Sequence, residues 1–255
     1  MPPLLTIDRV SLAFGGVNAL TDVAASVADG DITAIIGPNG AGKTSLFNIT
    51  SGFYKPASGT VMFDGKDLLP LPAHARPKLG IARTFQNIAL FAGLSVLENI
   101  KLGAHAQLKA NAGTASLYLG PAAREERDVT AHIENNILGF LNLSEIRHRA
   151  VGGLPYGVQK RIELARALVM QPRLLMLDEP FAGMNANERL QMATYIRRCV
   201  TESRTTVLLI DHNMETVLGL SSHVVVLNFG KVIAAGTPDH VRTHSGVIDA
   251  YLGAA

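Results

Sequence analysis

Residues 37–44, Gly37-Pro38-Asn39-Gly40-Ala41-Gly42-Lys43-Thr44, fit the spacing G-x-x-x-x-G-K-[ST] without a mismatch. The spacing suits phosphate chemistry. Glycines let successive backbone N–H groups point inward at an anion, Lys43 adds a point charge, and Thr44 offers its hydroxyl to a magnesium ion. Ser45 adds a further polar group where the next helix starts, so Gly37 to Ser45 is the expected phosphate-binding run. A second constellation is Asp178-Glu179, delivered by the apolar run Leu174 to Leu177. Asp178 can hold the metal, commonly through water, while Glu179, one residue on, is placed to polarise an attacking water. A third is Asp211-His212, which closes the apolar run Val207 to Ile210. His212 is then a candidate contact to a terminal phosphate; the other seven histidines have no such placement.

These groups need strands that end at one edge. Ile32 to Ile36 reads as a buried strand, and Leu46 and Ile49 repeat at helical spacing in Ser45 to Ser51, so the glycine loop lies between strand and helix, the context that confirms it. After Arg173, strands at Leu174 to Leu177, Thr206 to Ile210 and Val224 to Leu227 alternate with helices at Glu188 to Val200 and Met214 to Leu220. Such alternation implies a parallel sheet covered on both faces, with ligands at the C-terminal ends of the strands. The first thirty residues alternate apolar and polar around Gly15-Gly16 and Asp29-Gly30, which predicts antiparallel strands. Val61 to Phe63 and Ile81 to Thr84 read as further strands, separated by a Pro-rich loop. From Leu94 to about Leu143 the period turns helical, interrupted by a loop or weak helix at Lys109 to Pro121.

Composition narrows the class. With 255 residues, 47% hydrophobic and 17% charged, the chain can bury one large core or two modest ones, and a folded chain is expected. A net charge of +2 from 23 basic and 21 acidic residues gives no basic stripe, which argues against nucleic acid as a partner. One cysteine, Cys199, excludes an internal disulfide and reads as a packing residue. The start Met1-Pro2-Pro3-Leu4 lacks the regions of a signal peptide, and no apolar run approaches the roughly 20 residues of a membrane span. A cytoplasmic protein is expected, with any membrane role supplied by a partner.

The glycine loop alone would serve kinases, GTPases, helicases and transport ATPases equally. The order of all three constellations, however, resembles the ATP-binding-cassette family over nearly the whole chain. The resemblance implies an α/β fold: a RecA-like P-loop NTPase core with a parallel sheet, an N-terminal antiparallel β subdomain and an inserted α-helical subdomain. It places the core at residues 1–86 and 156–255 and the helical insert at 87–155. It also implies ATP and Mg2+ as ligands. Phe14 looks like the aromatic residue that stacks on adenine, and Gln86 like the glutamine that links magnesium to the helical insert. Alone, Phe14 fits an ordinary core position and Gln86 a solvated strand end equally well.

Leu154-Pro155-Tyr156-Gly157-Val158 matches the family's signature segment, usually Leu-Ser-Gly-Gly-Gln, and precedes an expected helix Ile162 to Val169. In the usual form, serine and the N–H groups opening the helix reach ATP held by the facing subunit. Pro155 has neither hydroxyl nor N–H, and Val158 replaces a hydrogen-bonding glutamine, so this chain's contribution to the opposite site is weakened. Asn185, in Ala182-Gly183-Met184-Asn185, stands where aspartate is common in the dimer-contact loop.

Phe14-Gly15-Gly16-Val17-Asn18-Ala19-Leu20, Leu46-Phe47-Asn48-Ile49-Thr50-Ser51-Gly52, Ala82-Arg83-Thr84-Phe85-Gln86-Asn87 and Ala250-Tyr251-Leu252-Gly253 resemble the ATPases of branched-chain and hydrophobic amino-acid importers. That likeness implies a second ATPase subunit, usually a different chain although a homodimer is the other option. It also implies transmembrane permease subunits, an extracytoplasmic solute-binding protein, and a place on the cytoplasmic face of the plasma membrane. Urea, amide and aromatic-acid importers share this ATPase type. A soluble cassette ATPase of another class would need a long coiled-coil insertion or two cassettes, and this sequence has neither. A nucleotide sensor with little turnover is the remaining alternative, disfavoured by Glu179 and His212 and kept open by Pro155 and Val158.

Overall fold

The computed structural model describes residues 2–85, 89–104 and 121–252. The chain begins with a hairpin of β1 (Leu5–Phe14) and β2 (Val17–Val27), turned at Gly15 and Gly16, both at positive φ. With β4 (Ser58–Phe63) and β5 (Lys66–Asp67) they form an antiparallel sheet in the order β2-β1-β4-β5.

The second sheet holds β3 (Ile32–Ile36), β6 (Ile81–Arg83), β7 (Leu174–Asp178), β8 (Thr206–Ile210), β9 (His223–Asn228) and β10 (Lys231–Gly236), in the order β10-β9-β3-β8-β7-β6. Five of these strands are parallel, and β10 runs antiparallel at the edge. β10 has no counterpart among the elements expected from sequence, which end at Leu227. Its turn is carried by Phe229 and Gly230, both at positive φ, which is the geometry of a type I′ hairpin without the usual Asn-Gly pair.

Side chains on a strand alternate between faces, and the two hydrophobic cores divide along that period. Ala34, Ile36, Leu175, Leu177, Val207, Leu209, Val224 and Val226 belong to the core under the helices. Ile35, Leu174, Met176, Leu208, Ile210, Val225 and Leu227 belong to the other, shared with Leu46, Phe47 and Ile49 of α1 (Lys43–Thr50) and with Leu5, Ile7 and Val10 of β1. The central strands are fully buried because both faces are covered, which is why they read as unbroken apolar runs.

Among the described residues, the helical part includes α2 (Val96–Ala104) and α3 (Pro121–His132), the latter running into a π-helical turn at Ile133–Leu138. The expected break at Lys109 to Pro121 lies outside the described residues except for Pro121, which opens α3. The helix expected at Ile162 to Val169 begins earlier: α4 is Tyr156–Leu168, so it starts inside the signature segment. Then follow α5 (Ala186–Thr201), α6 (Met214–Leu220), α7 (Pro238–Thr243) and α8 (Ser245–Leu252), the last two not foreseen from sequence. Among the described residues no helix is long and apolar enough to cross a membrane.

Candidate nucleotide site

The glycine loop joins β3 to α1 at the C-terminal edge of the parallel sheet. Gly42 shows why a side chain is excluded: at φ 99 a Cβ would sit 2.6 Å from the Ala19 carbonyl oxygen and 2.7 Å from Leu20 Cδ2. The loop therefore packs on the β1–β2 hairpin by bare backbone. Lys43 Nζ donates to the carbonyls of Gly37 at 2.7 Å and Pro38 at 2.9 Å, closing the loop into a ring. Burial pushes its ammonium pKa down, opposed by the charges of Glu179 and then Asp178. Both carboxylates therefore act on the loop's lysine. Thr44 is exposed and Ser45 half-buried at the start of α1.

Asp178 ends β7, 3% exposed, and Glu179 follows it. Glu179 has φ 51, an uncommon conformation for a side-chain-bearing residue, and its N–H donates to the Ile210 carbonyl at 2.8 Å. That turn swings the second carboxylate out of the strand line toward β8. There His212 Nδ1 lies 4.0 Å from Glu179 Oε1, with the imidazole largely exposed. The neighbouring Asp211 has a different job. It is 1% exposed and accepts from the N–H groups of Phe181 at 3.0 Å and Asn213 at 2.9 Å, tying the loop after Glu179 to the end of β8.

Phe14 lies half-exposed at the hairpin tip, edge-on to Tyr54 with ring centroids 5.2 Å apart. Gln86 lies outside the described residues. For a metal, the chain offers the Thr44 hydroxyl and the Asp178 carboxylate, both hard oxygen donors. No group of three or more His, Cys, Asp or Glu among the described residues could hold a metal alone. This donor set fits magnesium, which takes one or two protein oxygens and fills its shell with phosphate and water.

The signature residues stand apart from the loop, at the start of α4. Pro155 is the N-cap, with φ −53 and ψ 150, and provides no side-chain cap. Gln159 Nε2 instead donates back to the Leu154 carbonyl at 2.8 Å. Leu154 and Gly157 are buried, Val158 is half-buried and Tyr156 is exposed, its ring lying over Gly183. Gly157 abuts Glu188, which with Asn185 forms a reciprocal capping box on α5. Asn185 thus takes over helix capping at the position where aspartate is common.

Three contacting residues were not singled out from sequence. Arg83 Nη2 pairs with Asp178 Oδ2 at 2.9 Å. Glu163 accepts from the Phe85 N–H at 3.4 Å and pairs with Lys160 at 3.3 Å; burial pushes its carboxyl pKa up. Tyr251, near the end of the described chain, lies beside Gly37, and burial pushes its phenol up to about 12. Arg83 and Tyr251 fall within stretches whose likeness to importer ATPases was legible, but nothing in their spacing shows what they touch.

A family model described as ABC transporter matches residues 20–182, and one described as branched-chain amino acid ATP-binding cassette transporter matches residues 231–255. The chain is 40% identical over 253 residues to the high-affinity branched-chain amino acid transport ATP-binding protein BraF of Pseudomonas aeruginosa, covering 99% of each. It is 39% identical over 253 residues to LivG of Escherichia coli, again covering 99% of each. Among solved structures, an ATP-binding cassette of an ABC transporter in its ADP conformation superposes with a TM-score of 0.86 at 31% identity, covering 99% of this chain and 100% of the other. A nucleotide-free cassette gives 0.84 at 31% identity, covering 98% of each. The glycine loop, the paired carboxylates and the histidine are held at one sheet edge of the same fold, so this chain belongs to the ABC transporter family as one of its ATP-binding, ATP-hydrolysing cassettes.

Proposed function

We propose that the chain is the ATPase subunit of a membrane importer for branched-chain or other hydrophobic amino acids. The observation that carries the chemistry is the grouping of Lys43, Asp178, Glu179 and His212, from three different strand ends, at one edge of the sheet. The relatives' substrate supports the cargo. Gly37 to Ser45 binds the phosphates, with Lys43 leaving the Gly37 and Pro38 carbonyls for phosphate oxygens, and Phe14 takes the adenine face. Magnesium, held by Thr44, Asp178 and Gln86 with the phosphates, supplies charge neutralisation. Glu179 orients and polarises the attacking water, and His212 meets the terminal phosphate beside it.

The segment Leu154 to Val158 faces ATP bound by a second ATPase chain, so two cassettes sandwich nucleotide and reopen on hydrolysis. The helical part between β6 and α4, reached through Gln86, passes that motion to permease subunits at the cytoplasmic face of the membrane. A solute-binding protein delivers cargo on the other side. Replacing Glu179 by Gln tests the core of this reading. Steady-state turnover of the assembled transporter should fall by at least about 100-fold while ATP affinity stays within about threefold. Turnover at the wild-type rate would exclude Glu179 as the water-activating group. Loss of labelled leucine uptake in cells expressing only the variant checks the cargo.

A further inference from the structure

The guanidinium of Arg83 is tightly held in the molecule's core. Its side chain is 9% exposed. Nη2 donates to Asp178 Oδ2 at 2.9 Å, and Nη1 donates to Asn48 Oδ1 at 2.8 Å and Ser51 Oγ at 3.0 Å. Three aromatic rings enclose it, with the guanidinium carbon 5.6 Å from the centroid of Phe47, 5.8 Å from Phe53 and 5.2 Å from Phe85. Its Nε is buried with no hydrogen-bond partner among the described residues. The group cannot swing away without abandoning its hydrogen bonds to Asn48 of α1 and to the C-cap Ser51 and leaving a buried anion unpaired.

This places a fixed positive charge on the carboxylate assigned to the metal. A single charge-assisted hydrogen bond, from Nη2 to Oδ2, ties the guanidinium to the carboxylate, and its positive charge opposes the approach of a dication to the same oxygens. We propose that Arg83 is a positioning residue that acts as a counter-ion to Asp178, competing with magnesium there and limiting how tightly the magnesium–nucleotide complex is held. Product and metal then leave more readily. This inference rests on the reading of Asp178 as a magnesium-holding group.

The test measures binding of ADP to the full chain with and without Mg2+, using a fluorescent ADP analogue. In Arg83→Gln, the gain in affinity on adding Mg2+ should exceed the wild-type gain by at least about tenfold, and magnesium-bound ADP should dissociate correspondingly slowly. Affinity without metal should stay within about threefold of wild type, and Arg83→Lys, which keeps the charge, should restore most of the wild-type gain. An unchanged or smaller gain in Arg83→Gln, or equal shifts with and without metal, overturns the proposal. Should that variant not fold, Arg83→Met, which removes the charge and keeps an apolar stem among the three rings, takes its place, and a magnesium gain no larger than wild type overturns it equally. If Asp178→Asn keeps the full wild-type gain, the reading of Asp178 fails and this inference falls with it.

Discussion

Restoring a serine at position 155 separates what the altered signature does for this chain's folding from what it does for the facing subunit. Pro155 is the N-cap of α4 at φ −53 and ψ 150, a backbone that serine adopts without strain, and it caps nothing through its side chain. A serine oxygen there would accept from the N–H of Gly157 or Val158, worth about 1 kcal/mol. Losing proline's restriction of the unfolded chain takes back about 0.4–1 kcal/mol. The two nearly cancel, so the melting temperature of the isolated chain should move by no more than about 2 °C. In the proposed sandwich, by contrast, the hydroxyl proton would give the facing ATP a donor that Pro155 lacks. A hydrogen bond to a charged phosphate contributes about 1.5–3 kcal/mol, or about 10–150-fold in the ATP-driven closure equilibrium. The measurements are thermal unfolding of Pro155→Ser alone, and ATP-dependent closure and turnover of the assembled complex. Unchanged closure and turnover would refute the weakened-signature reasoning. A higher melting temperature without tighter closure would reduce residue 155 to a helix cap.

Two further outcomes follow from contacts in the structure. In Gly157→Ala the new Cβ would lie 2.5 Å from Glu188 Oε1 and 2.8 Å from Cδ, so the carboxylate must leave the Asn185 N–H it accepts from at 3.0 Å. The cost should be about 0.5–1 kcal/mol, and a double-mutant cycle with Asn185→Ala should show a coupling of about 0.5 kcal/mol between signature and dimer-contact loop; additive losses would disprove that link. Burial pushes the Cys199 thiol up to about 12. At pH 8 its thiolate is therefore present at only about one part in ten thousand, and alkylation should be slow until the chain is unfolded. Because the folded pKa is raised, the stability linked to this thiol is full below pH 9 and is lost as pH rises through about 12; rapid native alkylation at pH 8 would contradict the burial.

The main elements were legible because each leaves a local trace. Leu174 to Leu177 reads as a buried strand since both its faces are covered, and the structure extends it by one residue to Asp178; Met214 to Leu220 was readable as a helix with its bounds intact. The edge strand β10 and the helices after it left weaker traces. Lys231–Gly236 is partly exposed, and its turn uses Phe229 at positive φ, which no propensity suggests. The helix expected from Ile162 starts at Tyr156: Pro155 serves as its N-cap, and Gly157 lies in the first turn against Glu188.

From the residues alone came the phosphate loop, the order of Asp178, Glu179 and His212 behind it, and the departure at Pro155, because a loop of fixed spacing and a strand ending in carboxylates are local patterns. Only the tertiary structure joined residues distant along the chain. Asp178 is met by Arg83 from the neighbouring strand, Arg83 is held by Asn48 and Ser51 at the end of α1, Glu163 of the signature helix reaches Phe85, and Tyr251 returns to Gly37. Such pairings follow from strand order, and strand order is decided by the joint burial of both sheet faces.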